Sequence, residues 1–296
     1  MHFVSVTRAD GSLALCAKSA DEYVDLTAAG CPATLDELLQ SSAGLSLESQ
    51  VREAVRRSRT RYPVDESTVL RPPVSHPGKA IAVGLNYMEH AKEGNKPVPE
   101  YPVLFTRYSS SWVGHNESLI KPAISQKFDY EGELVAVIGR AGRGISKERA
   151  LEHVAGYSLF NDGSLRDFQW RSSQWTMGKN FDRSGAFGPC FVSADSLPPG
   201  ARGLDLVTRL NGLVVQSASI DEMIFDVATL VSICSQAMTL WPGDIIITGT
   251  PSGVGFARTP PLFMKAGDLC EIEIDGIGTL ANLVEDEPIT ARTSNV

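Results

Sequence analysis

The chain has 296 residues, of which 43% are apolar and 21% charged, and its net charge is −8. This length supports a large core. No apolar run approaches the ~18 residues of a membrane-spanning helix. The acidic net charge argues against nucleic-acid binding, which needs clustered Lys and Arg. Five scattered cysteines without a CxxC pair favour reduced thiols over disulfides or a zinc site, and the N-terminus lacks the pattern of a secretory signal. We therefore expect a soluble, cytoplasmic protein.

Residues 1–73 predict a small N-terminal α/β domain. Two short apolar strands at the start of the chain flank an Asp-Gly turn, which is typical of a β-hairpin. A helix is expected after Thr34, a good N-cap residue, and a second helix near residues 47–59. The Pro- and Gly-rich stretch 71–79 indicates a linker, so that a second domain would cover residues 74–296.

The second domain is rich in short β-branched segments bounded by turn residues, and helical periodicity is confined to residues 146–154 and 226–240. Strands and helices do not alternate regularly, which argues against a doubly wound sheet. We therefore predict an α+β, mainly β fold: a mixed β-sandwich roll with peripheral helices. The predicted strands are AIAVGLN, PVLFTRY, ELVAVIG, GPCFVSA, LDLVTRLNGLVVQ, DIIITGT and LCEIEID.

The stretch 127–142 places Asp129, Glu131 and Glu133 at every second position and then becomes apolar. On a strand these three side chains share one face. Carboxylates that enter a core repel one another and lose hydration, and a hard divalent cation such as Mg²⁺ or Mn²⁺ would offset that cost. A solvated acidic strand edge is the alternative interpretation of the stretch taken alone.

A second polar segment follows the expected end of a strand near residue 160. At helical spacing, Asp162, Arg166 and Gln169 would share a face, where they could bind a metal ion and a substrate carboxylate. Lys179 follows in an irregular stretch. For Asp162 and Arg166 the alternative is an ordinary surface ion pair.

His90 and Glu93 are three residues apart, so on a short helix their side chains can meet. A carboxylate orients an imidazole and raises its basicity, which makes a general base. A solvated surface histidine is the alternative. Further along, residues 245–255 form a β-branched strand that ends in a Gly/Thr/Pro/Ser loop able to present N–H groups to an anion.

Four segments, in this order along the chain, resemble the fumarylacetoacetate hydrolase family. Together they lie within roughly residues 75–285, and the combination is far more specific than any one of them. The resemblance implies a mixed β-sandwich roll, a bound Mg²⁺ or Mn²⁺ ion, a homodimer, and 2-keto acids such as acylpyruvates as substrates. The segments are GLNYMEHAKE, FDYEGELVAVIG, NDGSLRDFQ with GKNFD, and ITGTPSGVG.

The resemblance also implies roles for nine residues. The metal ligands would be Glu131, Glu133 and Asp162. The catalytic residues would be His90 as base, Glu93 as its partner, and Lys179, while Arg166, Gln169 and Thr250 would bind the substrate. Asp129 matches no ligand position, and Arg107 stands where many relatives have Lys.

The implied activity is hydrolysis of a carbon–carbon bond in an acylpyruvate such as fumarylpyruvate, of the kind formed in aromatic or sugar-acid catabolism. His90 would activate the attacking water, and the pyruvate enolate would leave. Decarboxylation of oxaloacetate or isomerisation of a hydroxymuconate-type diacid would use the same site, so both remain open. A more remote alternative is a keto-acid binding protein without catalysis.

Overall fold

The computed structural model of the protein describes residues 1–19, 21–41, 47–65 and 68–288. The last residues of the predicted second domain, 289–296, lie outside these ranges. Within them the predicted α+β, mainly β fold with mixed sheets is confirmed. The strands are β1 (His2–Thr7), β2 (Leu13–Ser19), β3 (Glu22–Asp25), β4 (Arg61–Pro63), β5 (Leu70–Arg71), β6 (Ala80–Gly84), β7 (Val103–Thr106), β8 (Trp112–Val113), β9 (Leu119–Lys121), β10 (Phe128–Asp129), β11 (Gly132–Ile138), β12 (Val154–Asn161), β13 (Ser164–Leu165), β14 (Gly185–Ser193), β15 (Asp205–Leu210), β16 (Leu213–Ser219), β17 (Ile245–Ile247), β18 (Leu269–Ile274) and β19 (Gly278–Asp286).

Six α-helices are present in the described part of the chain. They are α1 (Leu35–Ser41), α2 (Leu47–Arg57), α3 (Met88–Glu93), α4 (Arg166–Gln169), α5 (Thr176–Lys179) and α6 (Val227–Ala237). The predicted helix at residues 146–154 is a 3-10 helix, Lys147–His153. No helix among the described residues has the length and apolar character needed to cross a membrane.

The strands form one large mixed sheet, a five-stranded sheet and a two-stranded pair. The large sheet runs in the order β4-β3-β2-β1-β14-β12-β11-β17-β6-β7, with β5 beside β1 and β8 beside β14, and the five-stranded sheet runs β16-β15-β18-β19-β9. The β15–β16 hairpin turns at Asn211-Gly212, where both residues have positive φ, as the Asn-Gly pair predicts. The pair β10-β13 stands apart from both sheets.

The strands of the N-terminal module continue the large sheet, because β1 pairs antiparallel with β14. Hydrogen bonding therefore runs without interruption from the expected first domain into the expected second one. The division at residue 73 stays a prediction.

The large sheet is buried on both faces, as the strand β11 shows most clearly. Its residues Leu134 and Ala136 belong to a core shared with the five-stranded sheet and α6. Its residues Val135 and Val137 belong to a second core, shared with α1 and α2. Because side chains alternate along a strand, this two-sided burial explains why β11 is apolar at every position after Glu133.

Candidate functional site

The antiparallel pairing of β11 with β12 brings the three predicted metal ligands together. Gly132 lies opposite Asn161 in this pair, and the N–H of Asp162 donates to the carbonyl of Glu131 at 2.8 Å. Glu131, Glu133 and Asp162 each offer a carboxylate oxygen, and these oxygens lie within 4.8 Å of one another. The three residues are 4%, 2% and 0% exposed, so their environment is that of a core.

The strand that carries the carboxylates is interrupted, contrary to the prediction of one continuous face. β10 ends at Asp129 and pairs with β13, whereas β11 begins at Gly132 in the large sheet. Asp129 therefore lies apart from the other two carboxylates. Its oxygens accept from the N–H groups of Gly255 at 2.7 Å and Phe256 at 3.0 Å and from Arg166 Nε at 2.8 Å. Asp129 thus fixes the glycine loop and Arg166.

Buried cations surround the carboxylates. Lys179 Nζ donates to Glu131 Oε2 and, at 2.5 Å, to Asp162 Oδ2. Arg166 Nη2 donates to Glu131 Oε1 at 2.6 Å, and Arg107 Nη1 donates to Asp162 Oδ1 at 2.5 Å. Burial raises the pKa of Glu131, but the positive charges of Arg166 and Lys179 outweigh it and lower that pKa below its ordinary value.

Glu133 has no such cationic partner among the described ion pairs. Its Oε2 accepts from the N–H of Gly249. Burial, together with repulsion from Asp162 and Glu131, raises its pKa well above the ordinary value. When all four buried carboxylates, counting Asp129, are ionised, they face three buried cations and carry an excess of one negative charge.

A hard divalent cation fits this surplus of charge and this set of oxygen donors. The fit rests on the clustered oxygens and on the uncompensated Glu133. Glu131, Glu133 and Asp162 would hold the ion.

The predicted His90–Glu93 pair forms on α3. His90 Nδ1 lies 2.8 Å from Glu93 Oε1, and Glu93 Oε2 accepts from the N–H of Gly253 at 2.8 Å. Glu93 is therefore fixed by the glycine loop while it orients the imidazole. In the tautomer of the neutral ring that donates Nδ1–H to Glu93, Nε2 of His90 is the nitrogen that can accept a proton.

The prediction that Asp162, Arg166 and Gln169 share one face of a single helix is wrong. Asp162 precedes the two-residue strand β13, and the helix α4 begins only at Arg166. Arg166 and Gln169 do share one turn, in which Arg166 Nη1 donates to Gln169 Oε1 at 2.9 Å. Asp162 joins them through the β11–β12 pairing.

Thr250 lies on the glycine loop beside the carboxylates. Its hydroxyl donates to the carbonyl of Gly132 at 3.0 Å and accepts from Gln216 Nε2 at 2.8 Å. Because the hydroxyl proton is used within the protein, Thr250 can offer a substrate carboxylate no donor from its side chain while this bond persists. The bond instead ties the glycine loop to the start of β11.

Eight of the nine predicted site residues line a single cavity of about 350 Å³, and Glu93 contacts it through His90. The eight are His90, Glu131, Glu133, Asp162, Arg166, Gln169, Lys179 and Thr250. We call Glu131, Glu133, Asp162 and Lys179 the floor of the cavity.

Part of the cavity lining is aromatic and was not predicted. Trp170 packs edge-on against Phe256 with ring centroids 5.1 Å apart, and Trp175 packs edge-on against Phe105 at 5.4 Å. These four rings and Lys96 also line the cavity, and we call them the rim. The two tryptophans bracket one exposed loop, which has no periodicity that could have marked them in the sequence.

Arg107 is another residue of the site whose role was not predicted from the sequence. It follows β7, lies 55 positions before Asp162 in the chain, and is 2% exposed. Burial lowers its pKa, and the attraction of Asp162 opposes that shift. An arginine after a short strand carries no sequence signal for a partner so distant, apart from its place in the family resemblance.

Comparison with protein families gives a match to "Fumarylacetoacetate (FAA) hydrolase C-terminal" over residues 79–285. Among curated proteins, the chain is 44% identical over 235 residues to the fumarylacetoacetate hydrolase domain-containing protein 2 homolog of Dictyostelium discoideum, with 76% of each chain covered. It is 40% identical over 255 residues to the mitochondrial oxaloacetate tautomerase FAHD2A of Homo sapiens, with 86% of this chain and 80% of the relative covered.

Among solved structures, the fumarylacetoacetate hydrolase of psychrophilic Exiguobacterium antarcticum superposes with a TM-score of 0.85 at 36% identity. The match covers 97% of this chain and 100% of the other, so it includes the N-terminal module as well as the cavity.

Proposed function

The chain belongs to the fumarylacetoacetate hydrolase family, and from that premise we propose that it interconverts the keto and enol forms of a 2-keto dicarboxylate of the oxaloacetate type. Family membership makes it a metal-dependent enzyme that acts on small keto acids. The observation that carries the finer proposal is that an oriented base, His90, lines the same cavity as the buried carboxylate cluster. The relatives named oxaloacetate tautomerases support it.

Tautomerisation needs a base beside the carbon next to the keto group and stabilisation of the oxygen on which charge develops. His90 Nε2 takes the proton from that carbon, and the C–H electron pair becomes the carbon–carbon double bond of the enol. The keto oxygen takes a proton from solvent water and becomes the enol hydroxyl, and His90 releases to solvent the proton that it removed from carbon. A divalent ion held on the floor would stabilise the negative charge on this oxygen.

The remaining residues bind and orient the substrate. Lys179 lends positive charge to the floor, where the keto oxygen would lie. Gln169 accepts from Arg166 through Oε1, which leaves its amide nitrogen to donate to a substrate carboxylate. The aromatic rim excludes water, which strengthens these electrostatic contacts.

Hydrolysis of an acylpyruvate is the second candidate, and the size of the cavity favours it. A space of about 350 Å³ exceeds what a four-carbon acid requires, since pockets of about 300–1,000 Å³ accommodate drug-sized ligands. In this reaction His90 would take a proton from water, the hydroxide would attack the distal carbonyl, and the carbon–carbon bond would break with its electrons on the pyruvate enolate. The relative named a hydrolase supports this candidate.

The two candidates are separated by their products. With Mg²⁺ or Mn²⁺, the wild-type protein should accelerate the decay of the ultraviolet absorbance of enol-oxaloacetate without releasing pyruvate or CO₂. His90→Gln should lose about 10²–10⁴-fold of this rate, the usual contribution of a general base. Cleavage of fumarylpyruvate or acetylpyruvate with no catalysed tautomerisation would replace the first candidate with the second, and stoichiometric CO₂ would indicate a decarboxylase.

A further inference from the structure

The charged groups that line the cavity fall into two sets. On the floor, Lys179 is 2% exposed and held by Glu131 and Asp162. Arg166, also 2% exposed, is held by Asp129 and Glu131. Lys96 differs from both. It is exposed, lies at the rim, and makes no ion pair with any carboxylate of the described residues.

The backbone fixes where Lys96 lies. The helix α3 ends at Glu93, Asn95 has a φ of 52°, and the N–H of Lys96 donates back to the carbonyl of Ala91 at 2.9 Å. Lys96 is thus attached to the same short helix that carries His90. A ligand that contacts the Lys96 ammonium acts on the segment that positions the base.

Four aromatic rings line the same cavity in two edge-on pairs, Phe105 with Trp175 and Trp170 with Phe256. A single cavity therefore offers a charged floor, aromatic walls and, at Lys96, a cation that makes no ion pair within the described residues. A molecule that complements it carries a 2-keto acid at one end and an anionic group at the other.

We propose that Lys96 is a specificity-determining residue that binds the second carboxylate of the substrate and so selects 2-keto dicarboxylates over 2-keto monocarboxylates. This inference rests on the proposed function, because it assumes that the keto-acid end lies on the floor. The ion pair would form at the rim, in the cavity that the aromatic rings also line.

The test compares two substrates that differ only in the distal charge: oxaloacetate and its 4-ethyl ester. Enolisation of either substrate exchanges its C3 protons with deuterium from D₂O. NMR follows this exchange in a buffer that contains Mg²⁺ and no Mn²⁺. We expect the wild type to prefer oxaloacetate, and Lys96→Met to lower that preference about tenfold, equivalent to about 1.4 kcal/mol. Lys96→Arg should retain it.

Lys92→Met is the matched control. Lys92 belongs to the same helix and carries the same charge, but it is paired with Glu89 at 2.6 Å and does not line the cavity. The Lys92 variant should keep the wild-type preference. An unchanged preference in Lys96→Met, or an equal loss with both substrates, would overturn the proposal.

A binding measurement separates failure of this inference from failure of the proposed function. Quenching of tryptophan fluorescence gives the affinity of the Mg²⁺-loaded protein for each substrate without any turnover. If no keto acid is enolised, the proposed function fails, and the binding ratio still decides the role of Lys96. Equal affinity of the wild type for the acid and the ester would refute that role.

Discussion

The carboxylates of the floor lie on β11 or next to the ends of β11 and β12 in the large sheet, and Lys179 joins them from α5. The rim comes from β7, the residues after α3, the loop between α4 and α5, and the 3-10 helix Gly255–Ala257. The floor residues are at most 4% exposed, and hydrogen bonds from several elements hold them. Trp170 at the rim is 52% exposed. The comparison shows that the floor is held within the core, whereas part of the rim is open to solvent.

Among substitutions at the floor, Glu133→Gln should cause the largest loss of activity. Loss of a metal ligand should lower activity at least about a hundredfold, more than the loss of a supporting contact. The metal-free variant should unfold at the same temperature as the wild type or higher, because burial and its neighbours Asp162 and Glu131 oppose ionisation of Glu133. Thermal unfolding with and without Mn²⁺, together with turnover, checks both expectations.

Asp167→Asn is the control for this variant. Asp167 is a carboxylate close to the floor in sequence, but it bonds Ser125 Oγ at 2.7 Å and does not line the cavity. Its stabilisation by Mn²⁺ should match that of the wild type. A Glu133→Gln protein that remained fully active would refute the assignment of the floor.

Glu93→Gln should lower turnover by about ten- to a hundredfold, since the amide leaves the imidazole without its charged partner. Gln can still accept from the N–H of Gly253, so the loop should stay in place. The affinity for Mn²⁺ should not change, because Glu93 lies outside the carboxylate cluster. If Glu93→Gln lowered the affinity for Mn²⁺ as much as it lowered turnover, Glu93 would be needed for metal binding, which would contradict its assignment as the partner of His90 alone.

The support beneath the floor can be tested at Gly132. A Cβ atom there would lie 2.2 Å from Thr208 Oγ1, a buried hydroxyl that has no hydrogen-bond partner within the described structure. Gly132→Ala should lower the free energy of unfolding by about 2 kcal/mol through overpacking. The added change Thr208→Ala should restore most of it, as measured by urea denaturation. Additive losses in the double variant would contradict this account of the contact.

The rim should tolerate change better than the floor. A Cβ atom on Gly84 would lie 2.2 Å from the indole of Trp175, so Gly84→Ala should displace that ring and raise KM several-fold with little change in kcat. Gly94→Ala meets ordinary contacts only, at 3.5 Å or more, and serves as the control. A large fall in kcat for Gly84→Ala would mean that the rim takes part in positioning the base.

The smallest effect is expected far from both regions, at His115. Burial lowers its pKa to about 4, and its Nδ1 accepts from the N–H of Ala281 at 3.1 Å. The unfolded chain binds the proton first, so stability should fall as the pH drops from the ordinary pKa of about 6.5 towards 4 and should level off below it. His115→Asn should flatten this dependence in pH-resolved unfolding curves, and an unchanged slope would contradict it.

The sequence pointed to the three carboxylates of the floor because they lie on or beside neighbouring strands. Glu131 and Glu133 are two residues apart on one stretch, and Asp162 follows the strand that pairs with it. The break at Asp129 could not be foreseen, since it depends on N–H groups of the glycine loop more than a hundred residues later. The sequence correctly predicted that Asp162 and Arg166 lie in the same site. The predicted helix that would join them is wrong, because the strand β13 lies between them.

The rim and Arg107 escaped prediction for a different reason. Trp170 and Trp175 are exposed or half-exposed loop residues whose partners, Phe256 and Phe105, come from distant parts of the chain. Such contacts follow from the fold as a whole and leave no periodic trace. The N-terminal hairpin and the Asn211-Gly212 turn, in contrast, were predicted because their turn residues are adjacent in the sequence and favour a hairpin by themselves.

The central claim is that Glu131, Glu133 and Asp162 hold one divalent ion per chain at the floor. Titration of the protein with Mn²⁺, followed by the electron paramagnetic resonance signal of free Mn²⁺, tests it without any substrate. We predict one tight site per chain in the wild type, its loss in Asp162→Asn, and its retention in His90→Gln. A site of unchanged affinity in Asp162→Asn would contradict the account.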